Sequence, residues 1–336
     1  MWNLYKILFF FSMVMGTLIA ISSYSWLSMW MGLEINLLSI IPLLSNSKNS
    51  YPAEAALKYF ITQALASSIL LMGVILSLNL KEFFMENSSI LSILMSSALL
   101  TKMGAAPFHA WFPEVMDGLN WDLGLLMLTW QKIAPMILLY YICSLSMFFL
   151  MIILISTLLS GILGLNQISL RKILAYSSIN HISWMLASML HSQIIWFIYF
   201  CIYSIITLNI VIIFKEFQMF YLNQLFNLLN FSKTIKFTFI LNFFSLGGLP
   251  PLLGFFPKWL VINNLVLNEF YFLSILMILF TLITLFFYLR ISFSTLMMNS
   301  SETLIFISKK TKFKLFFINF ISLTGLLICT LIFNYF

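Results

Sequence analysis

Charge is what this chain has least of. Only 8% of its 336 residues are Asp, Glu, Lys or Arg, and the acids number 10. A soluble domain of this length needs a charged surface, so a soluble fold is excluded. Arginine is almost missing, with Arg171 and Arg290 the two among 17 basic residues. The net charge of +7 is therefore mostly lysine. It gathers near the ends of apolar runs, where membrane topology explains it and nucleic acid need not be invoked. Cysteine is scarce: Cys143, Cys201 and Cys329 stand apart in apolar runs, at no metal or cluster spacing, and read as small packing residues. No dinucleotide loop and no His/Cys cluster for a redox metal is present, so no metal or cofactor is expected to bind this chain.

What is present is apolar: 62% of the residues are hydrophobic, with 36 Phe and 20 Met. The bias suits an AT-rich genome, such as an invertebrate mitochondrial one. A helix crossing a bilayer needs about 20 apolar residues. Eleven runs qualify, near 4–22, 25–44, 53–79, 88–116, 121–144, 147–166, 172–190, 193–214, 237–267, 270–291 and 314–334. The first lacks a small-residue cleavage site and is expected to be a span rather than a removable signal. The fold class is thus an all-α polytopic membrane protein, one membrane domain over 1–336.

With 12 Gly and 8 Pro, the positions of these residues carry information. Gly104, Pro107, Phe112 and Pro113 recur 144 residues later as Gly248, Pro251, Phe256 and Pro257. Ile35, Asn36 and Ser39 recur as Ile179, Asn180 and Ser183, and Tyr59 and Ile61 as Tyr203 and Ile205. The chain therefore reads as a five-helix repeat over 1–144, a second over 145–291, and a loop with an extra C-terminal helix over 292–336. Five is odd, so the second copy enters the membrane from the opposite side. Each copy holds one interrupted helix, a pattern that points to an ion or solute path.

Loop charge sets the orientation. Lys48, Arg171, Lys172, Lys215, Lys233, Lys236, Lys309, Lys310, Lys312 and Lys314 fall on the N-terminal side, and Lys81 stands alone opposite. The N-terminus is then expected on the cytoplasmic-type side, which in a mitochondrion is the matrix, and the C-terminus in the intermembrane space. The lysines of 309–314 also suit anionic lipid. Trp26, Trp121 and Trp196 read as interfacial anchors.

Three ionisable residues fall near mid-span: Glu34, Lys102 and Lys132. Lys258 lies past the second interruption. A charge at that depth costs about 2.5–3.5 kcal/mol on insertion scales, so each must face protein or water. Burial favours the uncharged form of either group, which a proton relay requires. The competing reading is a structural ion pair of Glu34 with Lys102 or Lys132, although one carboxylate cannot neutralise every lysine. The interruptions at Gly104 and Pro107, and at Gly247, Gly248, Pro250 and Pro251, free backbone carbonyls in mid-membrane, tolerated only against protein or a wet cavity. A plain proline kink is the alternative. His109 and His181 are further relay candidates, each equally readable as a packing histidine. His191 lies at a span end. Glu54 and Lys58 form an ordinary i, i+4 pair, and Asp117 and Asp122 sit in a loop.

The stretches 33–44 (LEINLLSIIPLL), 104–116 (GAAPFHAWFPEVM), 129–135 (TWQKIAP), 169–185 (SLRKILAYSSINHISWM) and 245–260 (SLGGLPPLLGFFPKWL) closely resemble the chain 2 family of mitochondrial NADH–ubiquinone oxidoreductase. The resemblance runs to about residue 300 and is insect- or arthropod-like in style. It implies a proton-translocating core subunit of the complex I membrane arm, in the mitochondrial inner membrane. It also implies a likeness to cation/proton antiporter subunits. Glu34 matches the family's acidic residue of the second span here, Lys102 the lysine of the first interrupted helix, Lys132 the bridging lysine and Lys258 the lysine of the second interrupted helix. The parent complex would use NADH, FMN, iron–sulfur clusters and ubiquinone, all held by other subunits. The neighbours implied are chain 4 and the small chain 4L, with cardiolipin among the lipids. Bacterial relatives carry three more N-terminal helices, so one flank here is left open for another subunit.

The two halves are not equivalent. Glu34, Lys102 and Lys132 have Ser178, Leu246 and Leu276 as counterparts, so protons are expected to load in the first half and pass toward Lys258. Two other readings stay open: a free-standing cation/proton antiporter, and a structural membrane scaffold.

Overall fold

The computed structural model describes residues 4–45, 50–80, 88–143, 147–228, 233–250, 252–297 and 319–320. Lys48, Lys81, Pro251, Lys309, Lys310, Lys312, Lys314, Cys329 and all but two residues of the expected span at 314–334 lie outside the described residues. The described chain is helical: α1 (Leu4–Ser22), α2 (Trp26–Leu44), α3 (Ser50–Leu80), α4 (Ser88–Met103), α5 (Trp111–Gly118), α6 (Trp121–Leu128), α7 (Trp130–Ile142), α8 (Met147–Leu165), α9 (Leu170–Met189), α10 (Gln193–Glu216), α11 (Leu222–Leu228), α12 (Lys233–Gly247), α13 (Phe255–Leu267) and α14 (Tyr271–Met297). Among the described residues, β structure is limited to one bridge, Ser169 with Tyr221. Helices are what lipid demands, because they satisfy every backbone group within the segment.

Among the described residues, seven helical stretches are long and apolar enough to cross a membrane: Leu4–Ser22, Trp26–Leu44, Ser50–Leu78, Trp121–Ile142, Met147–Leu165, Gln193–Glu216 and Tyr271–Phe293. The expected runs at 88–116 and 237–267 each fold as two helices, α4 with α5 and α12 with α13. The run at 172–190 is helical as α9, but its Ser, Asn and His residues lower its hydropathy. It tolerates them because every residue of α9 except Arg171 and Lys172 is buried in protein. By contrast, α1 and α14 turn Phe11, Leu18, Phe272 and Phe286 outward, as a lipid-facing helix does. Trp121, expected as an interfacial anchor, is instead packed inside.

The span at 121–142 is also interrupted, at Thr129 (φ −118°, ψ −72°), with no glycine or proline there. The Thr129 hydroxyl turns back to the Leu125 carbonyl at 2.8 Å. Six residues on, Pro135 has no N–H to give the Gln131 carbonyl. Lys132 lies between these two irregularities.

The interruptions after α4 and α12 are built alike. Gly104 (φ +76°) and Gly248 (φ +81°) both take the left-handed conformation that side chains resist. The Gly104 N–H bonds Leu100 O at 3.0 Å and the Ala105 N–H bonds the same oxygen at 3.1 Å. At the second site the Gly248 and Leu249 N–H groups bond Phe244 O at 3.0 and 3.2 Å. Both half-helices thus end on a glycine cap of the left-handed type.

The chain divides into two compact units, 1–152 and 153–336. In the first, α1 and α2 touch backbone to backbone. A Cβ on Gly32 would lie 2.5 Å from Ala20 N, and one on Gly16 2.8 Å from Asn36 N. In the second, α9 packs against α10, α13 and α14.

Candidate proton-transfer site

In the first unit, Lys102 is the penultimate residue of α4 and is 8% exposed. Leu33, Asn36, Leu37, Tyr59, Gln63, Lys102, Gln131 and Pro135 enclose a cavity of about 10 Å³. That is the space of roughly one water molecule, and the lining supplies the polar partners a water needs. Asn36 and Gln131 exchange two amide hydrogen bonds, each 3.0 Å, and so tie α2 to α7. Gln63 Nε2 donates to the Lys102 carbonyl at 3.4 Å, and Trp111 Nε1 to the Thr101 carbonyl at 3.0 Å. These donors serve carbonyls at the frayed end of α4, where Thr101 O also takes the Gly104 N–H at 3.2 Å.

Glu34 stands half-buried on α2, within electrostatic range of Lys102 and Tyr59. Its Oε1 is buried and makes no hydrogen bond, and the carboxylate forms no ion pair among the described residues. The structural ion pair is therefore not what holds Glu34 here. Lys132, on α7 beside Gln131, is 1% exposed, and its ammonium lies 5.1 Å from the centre of the Phe112 ring. His109 lies in the turn after Pro107, its Nδ1 3.3 Å from the Pro107 carbonyl, and takes no part in lining the cavity. Glu114, the positional counterpart of Lys258, turns outward. It meets Lys58 at 2.9 Å, and Lys58 also holds Glu54 at 3.0 Å.

In the second unit, Lys258 reaches back from α13 to the end of α12. Its Nζ donates to Gly247 O at 2.9 Å and approaches Leu246 O at 3.5 Å. It also lies 5.8 Å from the Trp184 ring centre. The Lys258 stem crosses directly over Gly248: a Cβ there would sit 2.8 Å from Lys258 Cδ. Pro250 stands exposed in the turn between the half-helices. His181, one turn before Trp184 on α9, pairs its Nδ1 with Tyr199 Oη at 2.9 Å.

A common electrostatic device links Lys102 and Lys258. The carbonyl end of a helix carries partial negative charge, and a cation there is favoured. Lys102 sits inside the last turn of α4, and Lys258 reaches the same end of α12 from beyond the break. Each lysine thus has a preformed stabiliser for its protonated state that requires no carboxylate. Among the described residues no group of three His, Cys, Asp or Glu gathers as a metal would need.

The sequence singled out the charged residues, marked Asn36 and Tyr59 only as repeat positions, and passed over Gln63, Gln131 and Tyr199. The available signal was neutral but still physical, since an amide or hydroxyl in mid-span needs a partner as a charge does.

The sequence model of the family described as "NADH:quinone oxidoreductase/Mrp antiporter, TM" matches residues 23–284. The chain is 49% identical to NADH-ubiquinone oxidoreductase chain 2 of Anopheles gambiae, covering 97% of both chains. It is 50% identical to that of Aedes aegypti, again covering 97% of each. The identity to that of the mammal Osphranter robustus is 43%, covering 84% of this chain and 83% of the relative. A chain of respiratory complex I from Thermus thermophilus superposes with a TM-score of 0.84 at 21% identity, covering 97% of this chain and 79% of that one. A chain of an archaeal membrane-bound sulfane sulfur reductase gives 0.82 at 14% identity, covering 97% and 73%.

Proposed function

The chain belongs to the NADH:quinone oxidoreductase/Mrp antiporter family of membrane proteins, and from that premise we propose that its protons move through Glu34, Lys102, Lys132 and Lys258. It is a proton-pumping subunit of the membrane arm of complex I, the NADH:ubiquinone oxidoreductase, in the mitochondrial inner membrane. The parent complex carries NADH, FMN, iron–sulfur clusters and quinone, and its electron transfer drives the pump. This chain supplies the proton path.

The observation that carries the site is the Lys102 cavity. A lysine 8% exposed, at the carbonyl end of a half-helix, faces room for about one water among Asn36, Tyr59, Gln63 and Gln131. Glu34 lies within electrostatic range with an oxygen free to accept a proton. A group that must gain and lose a proton needs such a setting: a stabiliser for the charge, an aqueous neighbour and an acid–base partner. Lys132 and Lys258 extend the set. His181 and His109 are secondary relay positions, His181 the better placed because it already holds a hydroxyl. A change in field or conformation arriving from the rest of the complex shifts the balance between protonated and neutral lysine.

The same reading gives eleven spans as two five-helix repeats, 1–144 and 145–291, inverted because each has an odd span count, with 292–336 adding a loop and helix. The matching glycine caps at Gly104 and Gly248 support it. The N-terminus faces the matrix and the C-terminus the intermembrane space. Chain 4 and chain 4L are the proposed protein neighbours, and an anionic lipid such as cardiolipin the lipid partner.

The deciding experiment is Lys102→Met in the intact complex, reconstituted in sealed vesicles. Fewer protons moved per NADH oxidised is the expected result. An unchanged stoichiometry in a fully assembled complex overturns the site.

A further inference from the structure

The second unit has no counterpart to Glu34, Lys102 or Lys132, yet its core is not bare of proton-carrying groups. Tyr199 and Tyr203 of α10 and Tyr288 of α14 are each 2% exposed or less, and all three face α9. Tyr199 Oη lies 2.9 Å from His181 Nδ1. The Tyr203 ring centre lies 4.9 Å from that of His181, and Tyr203 rests against Ser178. The Tyr288 hydroxyl faces Ser177 and makes no hydrogen bond to it in this state. Ser177, His181 and Trp184 follow one face of α9 at helical spacing, and Lys258 lies over Trp184 at the end of that face. Tyr288 also abuts the break, because a Cβ on Gly247 would lie 3.6 Å from its ring, and Gly247 O is the acceptor of Lys258.

The 144-residue spacing makes the substitution explicit. In the first unit Tyr59 lies in range of Glu34, and in the second its counterpart Tyr203 rests against Ser178 at the Glu34 position. The acid is gone and the tyrosine stays. Packing alone does not explain the hydroxyls. The chain uses 36 Phe against 13 Tyr, and each buried hydroxyl costs free energy that a phenylalanine ring avoids.

We propose that Tyr199, Tyr203 and Tyr288 are proton-transfer residues, joining His181 in a neutral hydroxyl–imidazole chain that leads to Lys258. A proton arriving at one hydroxyl oxygen displaces that hydroxyl's own proton to the next acceptor. One O–H bond forms as another breaks, and the tyrosine is neutral before and after. His181 takes a proton at Nδ1 and gives up the one on Nε2. The neutral amine of Lys258 accepts the proton that leaves the chain. No electron moves and no co-reactant is consumed.

The inference rests on the pumping site proposed above, and its test separates the two. Tyr199→Phe, Tyr203→Phe and Tyr288→Phe keep each ring and remove only the hydroxyl. Each is measured in the intact complex in sealed vesicles, beside Lys102→Met, for protons moved per NADH and for assembled mass. The expected result is full assembly with the rate of proton pumping lowered about tenfold, less than the full contribution of a positioned proton-transfer group, and with fewer protons moved per NADH. Tyr199→Phe combined with His181→Phe should be no worse than the weaker of the two alone, because groups in series fail together. If Lys102→Met lowers pumping and the three tyrosine variants do not, the tyrosine chain is overturned and the pumping site stands. If Lys102→Met also changes nothing, both fail. For any variant that does not assemble, infrared difference spectra of the unmutated complex decide. Tyrosine bands that appear on turnover and shift in heavy water support the chain, and their absence overturns it.

Discussion

Lys258 places its ammonium 2.9 Å from the carbonyl oxygen of Gly247, so the side chain that caps the broken helix is also the proton carrier of the proposed path. In the first unit the Lys102 carbonyl, the counterpart of Leu246 O, takes the neutral amide of Gln63, the Thr101 carbonyl next to it takes the Trp111 indole, and the Lys102 side chain is left facing a cavity. The protonation state of Lys258 is therefore tied to the geometry of its break in a way that Lys102's is not.

That tie predicts a split between two variants. Lys258→Met removes the proton carrier and the cap together, leaving buried carbonyls unserved. It should lower both pumping and thermal stability, the latter by about 1–3 kcal/mol. Lys258→Gln retains an N–H donor, and should recover part of the stability while pumping stays low. Thermal unfolding of the purified complex, read beside proton counts, checks both. Equal stability of the two variants would count against a capping role.

Asn36 and Gln131 satisfy each other across α2 and α7. Replacing either one by leucine strands the other's amide in the core, at about 1–3 kcal/mol. Replacing both should cost less than the sum of the singles, since no polar group is then left unmade. Additive losses in unfolding experiments would show that the pair does not act as a unit.

The approach of α1 to α2 depends on Gly32, where a Cβ would meet Ala20 backbone at 2.5 Å. Gly32→Ala should push the helices apart and cost about 1–3 kcal/mol, the range for overpacking. The same shift moves Asn36, which Gly16 contacts, so the Lys102 cavity should widen. The measurements are the yield of assembled complex and its melting temperature. Unaltered values would mean the interface can yield without loss.

His191 lies at the α9–α10 corner with its ring 5.2 Å from that of Phe270. Burial holds its imidazole below the ordinary histidine value. A base lowered in the folded state favours unfolding on acidification, because the opened chain binds the proton first. Stability from this group is full above about pH 6.5 and falls as the pH drops below it. Amide exchange at the corner, where the Ser192 N–H bonds Ser188 O at 3.0 Å, should quicken on acidification. His191→Gln should remove that dependence, and a variant that keeps it would refute the assignment.

Much of the site could be read from residue types alone. Glu34, Lys102, Lys132 and Lys258 announce themselves because a charge in lipid is expensive wherever the helix turns. The glycines at 104 and 248 announce themselves because few residues accept a positive φ. The break at Thr129 has no such marker, and it became visible only in the packing of α6 and α7. Asn36, Gln63 and Gln131 were hidden for another reason. In a chain rich in asparagine, a neutral amide has no distinguishing cost until its partner is known.

The order of apolar runs, the spacing of the scarce glycines and the depth of each charge were determined by the sequence, since they follow from the energy of moving residues into lipid one at a time. The tertiary structure decided which groups face one another: Lys102 with a water-sized cavity, Lys258 with a helix end, Glu114 outward to Lys58, His181 with Tyr199. Those pairings depend on how helices far apart in sequence pack. Hydrogen bonds and helix-end fields act over a few ångströms, and no local pattern along the chain encodes them.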